Sequence, residues 1–122
     1  MKYFLFLVII FLGIFFQSCE EDANREWVTI DPIQCMGNPW EQDWLENNND
    51  DYDLYSKLTN SQELQIFEQY YENLGIEVYK LEQTFPYDAT CDACFCPRGD
   101  RIHCYVNEND IDKMLSLGFK IQ

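Results

Sequence analysis

The chain has 122 residues, of which 22 are Asp or Glu and 8 are Lys or Arg, and its formal net charge is −14. A surface this acidic repels phosphate backbones and acidic lipid, and no cluster of Lys and Arg offsets it, so nucleic acid is not expected as a partner. Cationic peptides, metal ions or a basic patch on another protein stay open as partners.

The first 18 residues have the layout of an export signal. Lys2 supplies a positive start, and residues 3–16 form an uncharged apolar run of 14 residues. A helix that spans a membrane needs roughly 20 apolar residues, whereas this run is shorter and acidic residues follow it closely. We therefore expect residues 1–18 to be a signal peptide that is removed during secretion.

Cys19 stands directly after the small residue Ser18 at the end of that run. Lipoprotein processing acylates a cysteine in this position before cleavage, and an ordinary signal with an incidental cysteine is the alternative. Because each buried methylene contributes roughly 0.8 kcal/mol, several acyl chains attach a protein almost permanently. The sequence thus predicts that Cys19 is a lipid anchor, with the domain outside the cytoplasm, at the outer membrane or the cell surface.

Residues 20–22 (Glu-Glu-Asp) follow the anchor. They resemble the acidic stretch behind the anchor cysteine of Bacteroidota-type surface lipoproteins, where it acts as a signal for export to the cell exterior. A flexible acidic tether is the alternative. The predicted organisation is a signal peptide at 1–18, an acidic tether at 19–26 and one domain at 27–122, which is long enough for one hydrophobic core.

Four segments rich in β-branched and aromatic residues predict strands, at 27–30, 76–85, 101–106 and 119–121. The clearest strand pattern is the alternation of Ile102, Cys104 and Val106 with His103 and Tyr105. A period of two is typical of a half-buried strand, so we expect the first three side chains to face the core.

The first helix is predicted at 39–46, because Asn38, Pro39 and Glu41 supply three helix-start signals. These are a capping side chain, a proline where its missing N–H costs nothing, and the return partner of a capping box. Trp44 should lie on the inner face of this short helix, one turn after Trp40.

The second helix is the clearest in the chain. Asn60 and Glu63 form a capping box ahead of apolar residues spaced by three and four, and Gly75 closes the segment. A last helix, capped by Asn107 or Asn109, precedes the final strand.

Residues 46–53 are polar and without period, which predicts a loop. Asp51 and Asp53 alternate as calcium ligands can, but the glycine and the distal glutamate of a helix-loop-helix calcium site are missing.

In chain order the elements read β-α-β-β-α-β. We predict an α+β, ferredoxin-like fold, in which a small antiparallel sheet carries two main helices on one face, plus a short extra helix.

Five cysteines remain if Cys19 is acylated, and one of them, Cys104, is predicted to lie in the core as a free thiol. In an oxidising compartment the other four should form two disulfides. They are Cys35, Cys91, Cys94 and Cys96. Since Cys94 and Cys96 are too close to pair without strain, Cys35 should join the late cluster.

A four-thiolate zinc or iron–sulfur site is the main alternative for these cysteines, because Cys91 and Cys94 have the spacing of a zinc knuckle. The second pair of such a knuckle is missing, since Cys96 follows too closely and Cys35 stands alone. A redox-active Cys-x-x-Cys usually opens a helix, and none is predicted here. We therefore expect no metal and no other cofactor.

Catalysis is not expected either. His103 is the only histidine, and without it no Ser-His-Asp or Cys-His arrangement can be built. The tripeptide Arg-Gly-Asp at 98–100 is the one that animal integrins recognise, but a turn before a strand accounts for a glycine flanked by polar residues.

Three segments together carry a resemblance: 33–41 (Ile-Gln-Cys-Met-Gly-Asn-Pro-Trp-Glu), 91–100 (Cys-Asp-Ala-Cys-Phe-Cys-Pro-Arg-Gly-Asp) and the ending 110–119. They resemble a group of small, uncharacterised bacterial (Bacteroidota-type) lipoproteins that share the Gln-Cys…Asn-Pro-Trp-Glu segment and the Cys-x-x-Cys-x-Cys-Pro cluster. The resemblance covers most of the mature chain. It implies no activity, but it implies that Cys35 and the late cysteines form one unit.

The function expected from the sequence is a lipid-anchored binding or structural module of the cell envelope, non-enzymatic and stabilised by disulfides. It contacts the membrane through the N-terminal lipid on Cys19, and its protein or small-molecule partner is not identified by any motif. The alternative is a thiol-redox lipoprotein, or a metal-binding one whose zinc is held by four cysteines.

Overall fold

The structure is a computed structural model that describes residues 24–86 and 91–122. The predicted signal peptide at 1–18, the anchor Cys19 and the acidic residues 20–22 lie outside these residues. Within the described ranges, no helix is long and apolar enough to cross a membrane.

Four strands form one antiparallel sheet in the order β2-β3-β1-β4. Their bounds are β1 Arg25–Ile30, β2 Val78–Thr84, β3 Arg101–Asn107 and β4 Lys120–Ile121. Because β1 and β2 are both antiparallel to β3 and lie on either side of it, they run parallel to each other. The strand β1 begins two residues before the predicted segment, since Arg25 and Glu26 also pair with β3.

The helices are α1 Pro39–Asn47, α2 Tyr52–Ser56, α3 Asn60–Asn73 and α4 Ile111–Ser116, with a 3-10 turn at Glu108–Asp110 before α4. The helix α1 starts at the predicted proline, and the Glu41 carboxylate accepts a hydrogen bond of 2.9 Å from the backbone N–H of Asn38. Gly75 (φ 81°) and Gly118 (φ 96°) have the left-handed backbone that follows the ends of α3 and α4.

The predicted cap of α3 was wrong by one residue. Thr59, not Asn60, is the N-cap, and its side chain accepts a hydrogen bond of 3.3 Å from the backbone N–H of Gln62. The Gln62 side chain in turn accepts one of 2.9 Å from the Thr59 N–H. This register leaves the carboxylate of Glu63 free for contacts with other parts of the chain.

The predicted loop at 46–53 was wrong at both ends, because α1 extends into it and α2 begins in it. Asp51 caps α2 by accepting a hydrogen bond of 2.8 Å from the Leu54 N–H, and Asp53 forms an ion pair with Lys57. Tyr55 is buried and fixes this short helix to the domain. The two aspartates considered as calcium ligands therefore have local partners.

The hydrophobic core lies between one face of the sheet and the helices. Ile102, Cys104 and Val106 of β3 are fully buried there, in one cluster with aromatic residues of α1 and α3. The Phe67 ring packs against Trp40 at 4.8 Å between ring centroids. Burial raises the pKa of the Cys104 thiol, which stays protonated. The predicted facing of β3 is confirmed, and so is an α+β fold with a small antiparallel sheet.

Candidate functional site

Two disulfides join the cysteines as one unit: Cys35 is bonded to Cys94, and Cys91 to Cys96. Cys104 is free and buried. The prediction of two disulfides, with Cys35 linked to the late cluster, is thereby confirmed. Cys91 and Cys94, the two ends of the Cys-x-x-Cys motif, belong to different disulfides, and cysteines bonded in this way offer no thiolate to a metal.

Backbone hydrogen bonds hold two segments side by side, residues 31–36 and 91–98, which we call the first and second cysteine loops. The N–H of Gln34 donates to the carbonyl of Cys96 at 2.9 Å, and the N–H of Arg98 donates to that of Pro32 at 2.9 Å. Directly after Gln34, Cys35 (φ 60°) and Met36 (φ 54°) adopt the left-handed backbone that residues other than glycine rarely take. The cross-link and the paired loops together fix this turn.

At the end of the second of these loops, Arg98 is the centre of an ionic cluster. Its guanidinium donates five hydrogen bonds: one to Glu41 at 2.9 Å, two to Glu63 at 2.7 and 3.2 Å, and two to Asp100 at 2.7 and 3.0 Å. We call these four residues the Arg98 cluster. They connect α1, α3 and the start of β3, and Glu41 is only 1% exposed.

Burial and hydrogen bonding together shift the pKa values of groups in and around the Arg98 cluster. Desolvation raises the pKa of Glu41, although hydrogen bonds from Asn38 and the charge of Arg98 oppose it. Burial opposes the charge of Arg98, but its hydrogen bonds to Asp100 and Glu63 outweigh this and raise its pKa. Desolvation, with the nearby Glu63 charge, also raises the pKa of Tyr55, whose hydroxyl donates to Glu63 at 3.1 Å.

The Arg-Gly-Asp tripeptide is part of this cluster. The side chains of Arg98 and Asp100 bind each other, Asp100 is buried, and Gly99 (φ 114°) is buried between them. The tripeptide is therefore a turn of the domain interior.

Above the Arg98 cluster lies an open cavity of about 480 Å³, which we call the disulfide cavity. Its lining includes Glu41, Tyr55 and Glu63 on the helix side and Cys35 and Arg98 on the loop side. The cysteine prediction therefore located one wall of the cavity. The acidic side was missed, because Glu41 and Glu63 each have a local interpretation as helix-capping residues.

His103 lies on the opposite face of the sheet. Its Nε2 is 2.8 Å from the Thr84 hydroxyl and its Nδ1 is 3.2 Å from the Gln122 side-chain oxygen. In the part of the chain that the structure describes, no three or more His, Cys, Asp or Glu side chains come together as a metal site. The lining of the disulfide cavity includes two carboxylates, a tyrosine and an arginine, which can offer hydrogen bonds and charge to a ligand.

The Arg98 guanidinium has five N–H donors in all, and all five are used within the cluster. The carboxylates retain acceptor capacity, since Glu63 Oε2 accepts only the Arg98 bond among the described residues. Three carboxylates around one guanidinium also leave an excess of negative charge. The cavity therefore accepts hydrogen bonds from a ligand and favours a positive one.

Comparison with known proteins gives no match for this chain among protein-family models, curated proteins or solved structures.

Proposed function

We propose that this protein is a lipid-anchored, non-enzymatic binding module of the cell envelope, held at the outer membrane or cell surface through Cys19. Its ligand is a basic group, an ammonium or guanidinium, presented by a protein partner outside the cytoplasm. The observation that supports this most is the disulfide cavity, in which every donor of Arg98 is already used while carboxylate acceptors stay available.

The scaffold around the cavity suits a binding role. Two disulfides and the Arg98 cluster join segments 31–36, 91–98, α1 and α3, which are far apart in the sequence. A site that is fixed before binding loses little conformational entropy when its ligand arrives. The formal net charge of −14 attracts a basic partner at long range and raises the rate of association.

We also propose that the fold is ferredoxin-like and that the chain belongs to the lipoprotein group that it resembles. The order β2-β3-β1-β4, with β3 between the parallel strands β1 and β2, supports the split β-α-β-β-α-β, ferredoxin-like arrangement. The bonded unit of Cys35 with the late cysteines supports placing the chain in the group of small Bacteroidota-type lipoproteins that it resembles.

The anchor is tested by Cys19→Ser in the full-length gene. We expect the variant to lose labelling by a fatty-acid probe and to accumulate as unprocessed precursor or as a form released from the membrane. The matched control is Cys104→Val, which removes another unbonded cysteine and should leave labelling unchanged. Equal labelling of Cys19→Ser and the unaltered protein would refute the anchor.

The cavity is tested by titration with a short arginine peptide and with the same peptide carrying citrulline, its neutral isostere. By NMR, the arginine peptide should shift the amides of Cys35 and Met36, whereas the citrulline peptide should not. Glu63→Gln should weaken arginine binding by about fivefold through loss of one charge-assisted contact. Glu82→Gln, an exposed change on β2, is the control. Equal binding of both peptides would contradict the proposal.

A further inference from the structure

A second concave surface lies between α1 and α3, and we call it the α1–α3 groove. Its volume is about 310 Å³, at the small end of the roughly 300–1,000 Å³ typical of ligand sites. Trp44, Ile66 and Tyr70 supply its apolar surface. Most of the remaining lining consists of six amide side chains: Asn47, Asn48, Gln62, Gln65, Gln69 and Asn73.

The groove is nearly uncharged in a strongly acidic chain. Of the described residues that line it, Asp43 alone carries a charge, whereas the whole chain has 22 acidic and 8 basic residues. A charged ligand would find no counter-ion here apart from that one carboxylate. The groove therefore favours a neutral ligand.

The amides present donors and acceptors to the groove side by side. The side-chain N–H groups of Asn47 and Asn48 donate to the carbonyls of Asp43 and Trp44 at 2.8 and 2.7 Å, which leaves their side-chain oxygens as acceptors. The Gln69 amide donates to the Asn73 oxygen at 3.0 Å, which leaves the Asn73 NH₂ as a donor.

Gln65 is exposed, and its amide has no hydrogen-bond partner among the residues that the structure describes. Both its donor and its acceptor are available to a ligand.

Each of the two aromatic rings of the groove packs against another aromatic ring. The Trp44 ring packs edge-to-face on Tyr55, with 5.2 Å between centroids, and the Tyr70 ring is perpendicular to Tyr71 at 5.0 Å. Both Trp44 and Tyr70 are half-buried, so part of each ring faces the groove. Rings that are already fixed offer an apolar contact surface at little entropic cost.

We infer that the α1–α3 groove binds a neutral saccharide, as a mono- or disaccharide unit. A sugar ring places hydroxyl groups, each a donor and an acceptor, next to apolar C–H faces. The groove has the matching set: adjacent amide donors and acceptors, ring faces at Trp44 and Tyr70, and almost no charge. This site is separate from the disulfide cavity and does not depend on the basic ligand proposed there.

The test is NMR titration of the isotope-labelled protein with maltose, cellobiose, mannobiose, xylobiose and diacetylchitobiose. Each is added to about 20 mM, where even a site of millimolar Kd is mostly occupied. We expect at least one sugar to shift the Trp44 indole resonance and the Gln65 side-chain amide. Trp44→Phe and Gln65→Ala should each weaken that binding by about fivefold.

The matched control is Trp27→Phe, because Trp27 packs on Tyr105 at 5.1 Å on the other face of the sheet. It should leave sugar binding unchanged. The inference is overturned if none of the five sugars shifts these resonances, or if Trp27→Phe weakens binding as much as Trp44→Phe. It is also overturned if the groove binds the citrulline peptide used at the disulfide cavity but no sugar.

Discussion

Arg98→Met is expected to lower the free energy of unfolding by about 3–5 kcal/mol at neutral pH, because it leaves buried carboxylates without their counter-charge. Methionine retains much of the apolar stem, but all five hydrogen bonds of the guanidinium are lost. Glu41 is affected most, since it is 1% exposed and, among the residues that the structure describes, its other hydrogen bonds come only from Asn38. Urea unfolding of the two proteins measures the loss.

The loss of unfolding free energy in Arg98→Met should depend on pH. Burial already raises the pKa of Glu41 above its ordinary value of 4.5, and Arg98 is one of the groups that oppose the shift. Without Arg98 the pKa of Glu41 in the folded protein rises further. A carboxyl whose pKa is raised by folding stabilises the fold below its unfolded pKa and loses that contribution as pH rises through the folded value. The deficit should therefore be smaller near pH 5 than near pH 8.

Arg101→Met is the control for this pair of measurements. Arg101 binds Asp31 at 2.7 Å, but its side chain is 36% exposed, so its removal should cost about 1 kcal/mol or less. If Arg98→Met costs no more than Arg101→Met and its deficit is the same at both pH values, the Arg98 cluster does not stabilise the fold through charge.

Strand β3 and the start of α1 could be predicted because their signals are local. The alternation of Ile102, Cys104 and Val106 has the period of a strand that is buried on one face, and the structure buries all three. Asn38 and Pro39 likewise determine where α1 begins. Such patterns act over a few residues, so the rest of the chain does not alter them.

The cap of α3 could not be predicted, because two capping boxes overlap in the sequence. Thr59 with Gln62 and Asn60 with Glu63 have the same spacing, and both pairs have suitable side chains. The structure uses the first pair, while Glu63 binds Arg98, which is 35 residues away. The two capping boxes are equally suitable by local criteria, and the one that forms is the one that leaves Glu63 available for its ion pair with Arg98.

The Arg98 cluster and α2 were missed for a related reason. Arg98 and Glu41 are 57 residues apart, and no periodicity connects them. The helix α2 is too short to show a repeating apolar pattern, and its main attachment is the buried Tyr55, which packs on Trp44. Both features depend on contacts that form only when the whole domain is assembled.

The two disulfides close chain segments of different length, so they should contribute differently to the free energy of unfolding. Cys35 and Cys94 are 59 residues apart, whereas Cys91 and Cys96 are 5 apart. When the loss of chain entropy in the unfolded state is the main effect, the long closure is worth about 4 kcal/mol and the short one about 2 kcal/mol. The long closure also connects the first cysteine loop to the rest of the domain.

Cys35→Ser should therefore lower the free energy of unfolding by about 4 kcal/mol, and Cys91→Ser, at another exposed cysteine, by about 2 kcal/mol. Cys104→Val keeps volume and polarity nearly constant in the core and should cost under about 1.5 kcal/mol. Urea unfolding should be measured with and without reductant. Reductant should abolish the difference between Cys35→Ser and the parent protein and leave the cost of Cys104→Val unchanged. A larger cost for Cys91→Ser than for Cys35→Ser would instead mean that native contacts, rather than chain entropy, determine the contribution of each bridge.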